Sequence, residues 1–205
     1  MIHPTLHAIQ SRSTTNLYDA ARAIPTAQIG ELVHLATRAA TAFNLQNWRF
    51  IAVHSTAAKA RLRAVAWDQA KITDAAVTFI ICGQLADEKV LAHRLAPAVD
   101  AGIMPAEMVP GWVGGARSLY HEQPQRQRDE AVRSAAFGGA MLMQAAQAMG
   151  LGSTPMIGFD PEAIVREFGL AENEVPVLLV AIGYALPENW AQKPRRPLAE
   201  VLQLV

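Results

Sequence analysis

Four short stretches of this chain carry side chains suited to binding or polarising a ligand. The first, "SRSTTN" (residues 11–16), sets Arg12 beside Ser13, Thr14 and Asn16. A guanidinium grips an oxyanion through two parallel N–H bonds, and neighbouring hydroxyls and an amide extend that grip to a phosphate or a polar ring edge. The same residues would also serve as a plain capping turn. The second, "QKPRRP" (192–197), places Lys193, Arg195 and Arg196 within four positions, with prolines holding the backbone extended. Such a patch suits one phosphate or a solvated basic tail, and it lacks the interleaved aromatics of a nucleic-acid surface. The third, "TAFNLQNW" (41–48), carries Asn44 and Gln46, amides that both donate and accept and so read a heterocycle edge, or form a polar loop. The fourth, "WDQAK" (67–71), ends in Lys71 just before an apolar run, where a lysine snorkels or meets an anion.

The usual side-chain chemistries are missing. No G-x-G-x-x-G follows a strand pattern, since Pro155 stands where the third glycine would be needed. There is no G-x-x-x-x-G-K-[ST] and no G-x-S-x-G elbow. His3 and His7 stand four apart without a third ligand nearby, so no metal site is expected. The single Cys82 lies in "VTFIICG" and reads as a buried strand residue. An enzyme built this way would take its chemistry from a cofactor.

The bulk numbers frame these residues. The chain has 205 residues, 51% of them hydrophobic and 18% charged, with a formal net charge of zero. That is enough apolar material for one large core, or for a core plus surface hidden in an oligomer. Zero net charge gives no general attraction to nucleic acid or anionic membrane. The apolar runs fall well short of the roughly 20 residues a membrane span needs, and the N-terminus has no leader pattern. A cytoplasmic location is the expectation.

The elements follow from periodicity. Helical patterns run over 4–10, 27–39, 56–66 (with Lys59, Arg61 and Arg63 on the exposed side), 128–149 and 161–168. A further helical region, 87–121, is divided by Pro97, Pro105 and Pro110. Strands are expected at 48–54, 75–82 and 175–185, the last two nearly continuous apolar runs and therefore central. The connectors are "WDQAKITD" and "HEQPQRQ", and an extended arm runs from Pro187 to the end. No repeat divides the chain. It reads as one α+β domain over residues 1–205, with 187–205 as the arm. The helix "RDEAVRSAAFGGAMLMQAAQAMG" bears no charge after Arg133, and Gly138-Gly139 costs roughly 1 kcal/mol per glycine relative to alanine. Close packing should offset that, either inside a monomer or across a subunit interface. Then comes "GLGSTPMIGFD" (150–160), bare of charge until Asp160, as if the backbone must approach something closely.

Taken in order, "SRSTTN", "ATAFNLQNWRF", "QAKITDAA", the block from Arg128 to Asp160 and "KPRRP" resemble the nitroreductase family of FMN-dependent oxidoreductases, closest to short bacterial members linked to quinone stress. The resemblance covers essentially the whole chain. It implies a mostly antiparallel central sheet surrounded by helices in an intertwined homodimer, with FMN in the interface and NAD(P)H as a transient donor. Carried over residue by residue, Arg12, Ser13, Thr14 and Asn16 would meet the FMN phosphate and pyrimidine edge. Lys71 would approach N1/O2, with Asp68 and Gln69 nearby. Ala40, Thr41, Ala42, Asn44 and Gln46 would come from the partner chain. Pro155, Met156, Ile157 and Gly158 would pass along the ring near N5. Lys193 and Arg195 would hold the phosphate, with Arg196 an alternative. Lys71 and Arg12 would carry the catalytic charge stabilisation, and Trp112 would stack on a small aromatic acceptor such as a quinone or nitroaromatic. This chain has Asn16 where many members have Lys or Arg, Asp68 where they have Asn, and Ile157 where they have Glu. The same fold would also serve another flavin reaction, such as reductive dehalogenation or flavin destruction, or a flavin-free dimer.

Overall fold

The computed structural model describes residues 3–205; Met1 and Ile2, the start of the N-terminal stretch read above, lie outside them. The helices are α1 (Pro4–Ser11), α2 (Thr26–Ala36), α3 (Thr56–Ala64), α4 (Lys71–Asp74), α5 (Leu91–Asp100), α6 (Val109–Tyr120), α7 (Pro124–Ala148) and α8 (Pro161–Phe168). The strands are β1 (Trp48–Val53), β2 (Val77–Gln84), β3 (Gly152–Met156) and β4 (Glu174–Gly183). They form one antiparallel sheet in the order β1-β2-β4-β3.

Three layers result from alternation in the two central strands, interrupted by one irregularity in their pairing between Ile81 and Cys82. Ile80, Cys82, Leu179 and Ala181 point to one face, where Leu62, Ala66, Ile72 and Ile164 cover them. Phe79, Ile81, Val180 and Ile182 point to the other, against Leu32 and Ala36 of α2 and Ala135, Leu142 and Ala146 of α7. A third cluster joins α5 and α6 through Leu91, Leu95, Ala116 and Tyr120, with Leu45 beneath.

The glycines of α7 are explained by this packing. A Cβ at Gly138 would stand 2.9 Å from Phe50 Cζ, and one at Gly139 would stand 3.2 Å from Ile81 Cδ1. From the sheet side, a Cβ at Gly83 would lie 2.1 Å from the Ala131 carbonyl oxygen. Helix and sheet therefore meet almost backbone to backbone within one chain. The opposite face of α7 stays open: Phe137 is 52% exposed, and Met141 is exposed beside it.

Several sequence expectations need correcting. α7 starts at Pro124, inside the presumed loop "HEQPQRQ", because a proline fits the first helical position without losing a bond. Pro97 does not break its helix but lies inside α5, whose Leu91 and Leu95 are anchored in the core. Lys59 is not on the solvent side: its ammonium donates to the Thr73 and Ala75 carbonyls at 2.8 Å each, closing the end of α4. Burial lowers its pKa, with Asp74 acting against that shift. The connector "WDQAKITD" contains α4, and β3 adds an unexpected edge strand.

Candidate functional site

The bare segment after α7 is shaped by what it touches. Gly150 takes φ 72°, the left-handed stop, and the Leu151 N–H reaches back to the Ala146 carbonyl at 2.9 Å. Gly152 is bare because Thr15 occupies the place of its side chain: a Cβ there would meet Thr15 Oγ1 at 2.3 Å. Thr14 and Ser153 form a parallel bridge, and the Thr15 N–H donates to the Ser153 carbonyl at 3.1 Å. β3 thus pairs with β4 on one side and takes one rung from the N-terminal segment on the other. Gly158 is bare because the Trp67 indole lies on it, with Cε3 2.6 Å from a would-be Cβ. Backbone conformation accounts for Gly150, and local packing for Gly152 and Gly158. What remains exposed on this strip is Pro155 and, at 82%, Ile157.

Around the strip the structure gathers cations. Lys71, at the start of α4, points its ammonium toward Asn16 Oδ1 at 3.5 Å, long for a hydrogen bond. The C-terminal arm is clipped to the same segment. Asn189 Oδ1 accepts the Asn16 and Leu17 N–H groups at 2.6 and 2.9 Å, and its Nδ2 donates to the Leu17 and Leu186 carbonyls. Gln192 Nε2 donates to the Arg12 carbonyl at 2.9 Å. These clips close a cavity of about 70 Å³ lined by Arg12, Thr14, Asn16, Trp190, Lys193 and Arg195. Asn189 and Gln192 carried no motif signal, and only the fold reveals them as the residues that seat the arm.

What marks these cations is their convergence, since Arg12, Lys193 and Arg195 line one cavity. Arg49, Arg61, Arg63, Arg133, Arg166 and Arg196 each have a carboxylate within 4.0 Å. Among the described residues, the other twelve Lys and Arg side chains have none, and Arg12, Lys71, Lys193 and Arg195 are four of them. Arg12 Nη1 donates only to the Ser13 carbonyl, and Arg195 to the Lys193 carbonyl. Like charges converging with no counter-anion are costly unless an anionic ligand sits among them. Arg196, the alternative to Arg195, is instead engaged by Glu200 at 3.0 Å.

Of the other expected site residues, Gln69 is committed to the backbone, donating to the Gly158 carbonyl at 2.8 Å. Asp68 lies on an exposed turn paired with Arg63 at 2.6 Å. Met156 is buried in the core. The 43–46 turn is elsewhere: Phe43, Asn44 and Gln46 all adopt φ near +50°, and Thr41 Oγ1 accepts the Gln46 N–H at 3.0 Å. Asn44 shares a cavity of about 270 Å³ with Trp112, Leu95, Ile103 and Met108. Trp112 packs edge-on against Phe43 at 6.2 Å. Ala40 lines a separate apolar cavity with Arg12, Phe137 and Met141. A single chain thus holds two groups of expected residues, a cationic one and an amide-aromatic one. Among the described residues, no group of His, Cys, Asp and Glu could hold a metal, and no helix is long and apolar enough to cross a membrane.

On an α+β fold with one four-stranded antiparallel sheet, a cavity lined by Arg12, Lys193 and Arg195 adjoins the segment bridged to edge strand β3. The family follows from comparison: residues 9–184 match the nitroreductase family, and the chain belongs to it. It is 32% identical over 197 residues to YodC of Bacillus subtilis, which carries the name NAD(P)H nitroreductase, with 96% of each chain covered. It is 33% identical to DrgA of Synechocystis, over 87% of this chain and 83% of that one. A structure from Exiguobacterium sibiricum solved in complex with FMN shares the fold at a TM-score of 0.91 and 24% identity, covering 100% of this chain and 99% of that one.

Proposed function

We propose that this protein is an FMN-dependent oxidoreductase that oxidises NAD(P)H and reduces a small flat acceptor, such as a quinone or nitroaromatic, by a ping-pong sequence. The observation that carries this reading is the convergence of Arg12, Lys193 and Arg195 on one cavity, with Lys71 beside its Asn16 wall, on a nitroreductase fold. Arg12, Lys193 and Arg195 fit the phosphate of FMN, and Thr14 and Asn16 supply neutral donors. Lys71 fits the pyrimidine edge, where a fixed ammonium outside bulk water offsets negative charge as it develops. The exposed Pro155 and Ile157 offer a flat apolar surface for a ring face. When bound, FMN supplies the electron relay between donor and acceptor; none of the protein's nucleophiles is needed.

The overall reaction balances as NAD(P)H plus a proton plus quinone giving NAD(P)⁺ plus hydroquinone. The chain's own part is to hold phosphate, fix a positive charge at Lys71 and keep the ring face dry.

The site completes itself in a homodimer. The open face of α7, with Phe137 and Met141, and the exposed apolar Leu6 and Ile9 of α1 give a second copy an apolar surface to cover. A cavity of about 660 Å³ between α1, α2 and α7 lies on the same side. A partner docked there would bring Ala40, Thr41, Ala42, Asn44 and Gln46 toward the cationic group and Trp112 toward the acceptor. The family resemblance supports this arrangement. The test is NADH and NADPH consumption by FMN-loaded protein, with and without benzoquinone. Marked stimulation by the quinone is expected; consumption equal to that of free FMN would refute the proposal.

A further inference from the structure

Trp67 is built into the molecule at a cost. It is 76% exposed. Its φ is 52° and that of Asp68 is also 52°. Two successive left-handed residues with side chains cost on the order of 1–3 kcal/mol each. The turn persists because Arg63 braces it from three sides. Arg63 Nε donates to Asp68 Oδ1 at 2.6 Å, its Nη1 donates to Thr73 Oγ1 at 3.1 Å, and its carbonyl accepts the Asp68 N–H at 3.2 Å. The result fixes the benzenoid edge of the indole on Gly158, beside the exposed Ile157. A strained, braced and uncovered indole next to an uncovered isoleucine is an arrangement that core packing does not explain. It makes an apolar wall rising from the same strip on which the ring of FMN is proposed to lie.

We infer that Trp67 is a specificity-determining residue that packs against flat aromatic acceptors lying over the FMN ring at the Gly158 end of the strip, with Arg63 as its positioning residue. This rests on the flavin reading given above. Aromatic pairs contribute about 0.5–1.5 kcal/mol beyond area burial, a factor of roughly 2 to 12. The loss in a truncated variant falls on aromatic acceptors and spares an acceptor that does not stack.

The experiment uses FMN-loaded full-length protein and two acceptors, a naphthoquinone and ferricyanide. In Trp67→Ala the ratio of kcat/KM for naphthoquinone to that for ferricyanide should fall about 5-fold, and Trp67→Phe should restore most of it. An unchanged ratio would overturn the inference while leaving the flavin reading intact, because the variant would still be yellow and active. Loss of FMN or dissociation into monomers in Trp67→Ala would overturn it too, by making the indole part of the cofactor or subunit contact. A colourless wild-type protein that keeps no added FMN would instead end the flavin reading, and this inference with it.

Discussion

Lys71 and Arg195 are both free of carboxylate partners, yet they are assigned different tasks. Lys71 faces Asn16 across 3.5 Å, while Arg195 lines the small cavity closed by the arm. A charge-assisted bond contributes about 1.5–3 kcal/mol, or roughly 10- to 150-fold. Lys71→Ala should therefore slow flavin reduction by NADH by at least about 10-fold, with a smaller loss of FMN affinity. Arg195→Ala should do the reverse. Stopped-flow reduction and FMN titration separate the two, and indistinguishable variants would remove the role assignment. At this scale the sequence was informative about side-chain chemistry and poor about commitments already made. Arg12, Thr14, Asn16, Lys193 and Arg195 line one cavity, a meeting that the resemblance implied and the residue types alone left open. Gln69 is spent on the Gly158 carbonyl, a neighbour far along the chain, and Asp68 on Arg63, which a left-handed turn outside helical spacing brings back to it.

Among the elements, the tightest constraint is the approach of α7 to β2. A methyl group at Gly83 would collide with the Ala131 carbonyl, and backbone on both sides leaves nothing to give way. Gly83→Ala should cost about 3 kcal/mol or more, seen as a lower midpoint in urea unfolding; a neutral result would contradict the packing described here. The start of β4 offers a pH test. Glu174 Oε2 accepts from Arg49 at 2.7 Å and from the Ala171 N–H at 3.0 Å, while Gln84 Nε2 lies 3.3 Å from Oε1. Burial pushes this carboxyl's pKa up, but the Ala171 N–H, Arg49 and Gln84 outweigh it, and the net shift is downward. A pKa lower in the folded state stabilises the fold above the unfolded value of about 4.3 and ceases to do so as pH falls through the folded one. The stability gap between wild type and Glu174→Gln should accordingly be full at neutral pH and shrink in acid; a gap independent of pH would contradict it. Elements with local signals were legible. α8 matches its expected span because Asp160 caps the Ala163 N–H, Pro161 takes the first position and Gly169 adopts φ 61°. β3 was not legible: Pro155 argues against a strand, and it is tolerated only because β3 lies at the sheet edge.

For the whole molecule, the claim is that two copies are needed for one complete site. The helix that looked apolar all round buries one face against the sheet and leaves Phe137 and Met141 uncovered. The glycine pair that hinted at an interface instead serves packing within the chain, so the uncovered face is the better argument for a dimer. Phe137→Asp should yield a monomer by sedimentation that folds but holds FMN at least about 10-fold more weakly. A dimer with unaltered FMN affinity would place the interface elsewhere. The α+β class and the central strands could be read from sequence because alternation and apolar runs report burial directly. The separation of the cationic cavity from that of Asn44 and Trp112 could not, because it is a property of the folded chain as a whole.

The most direct test is a visible spectrum of the purified protein titrated with FMN. The account predicts a yellow protein saturating at one FMN per chain, and weaker binding when Arg195 is replaced by alanine. A colourless protein that fails to retain FMN, or retention indifferent to that substitution, would contradict it.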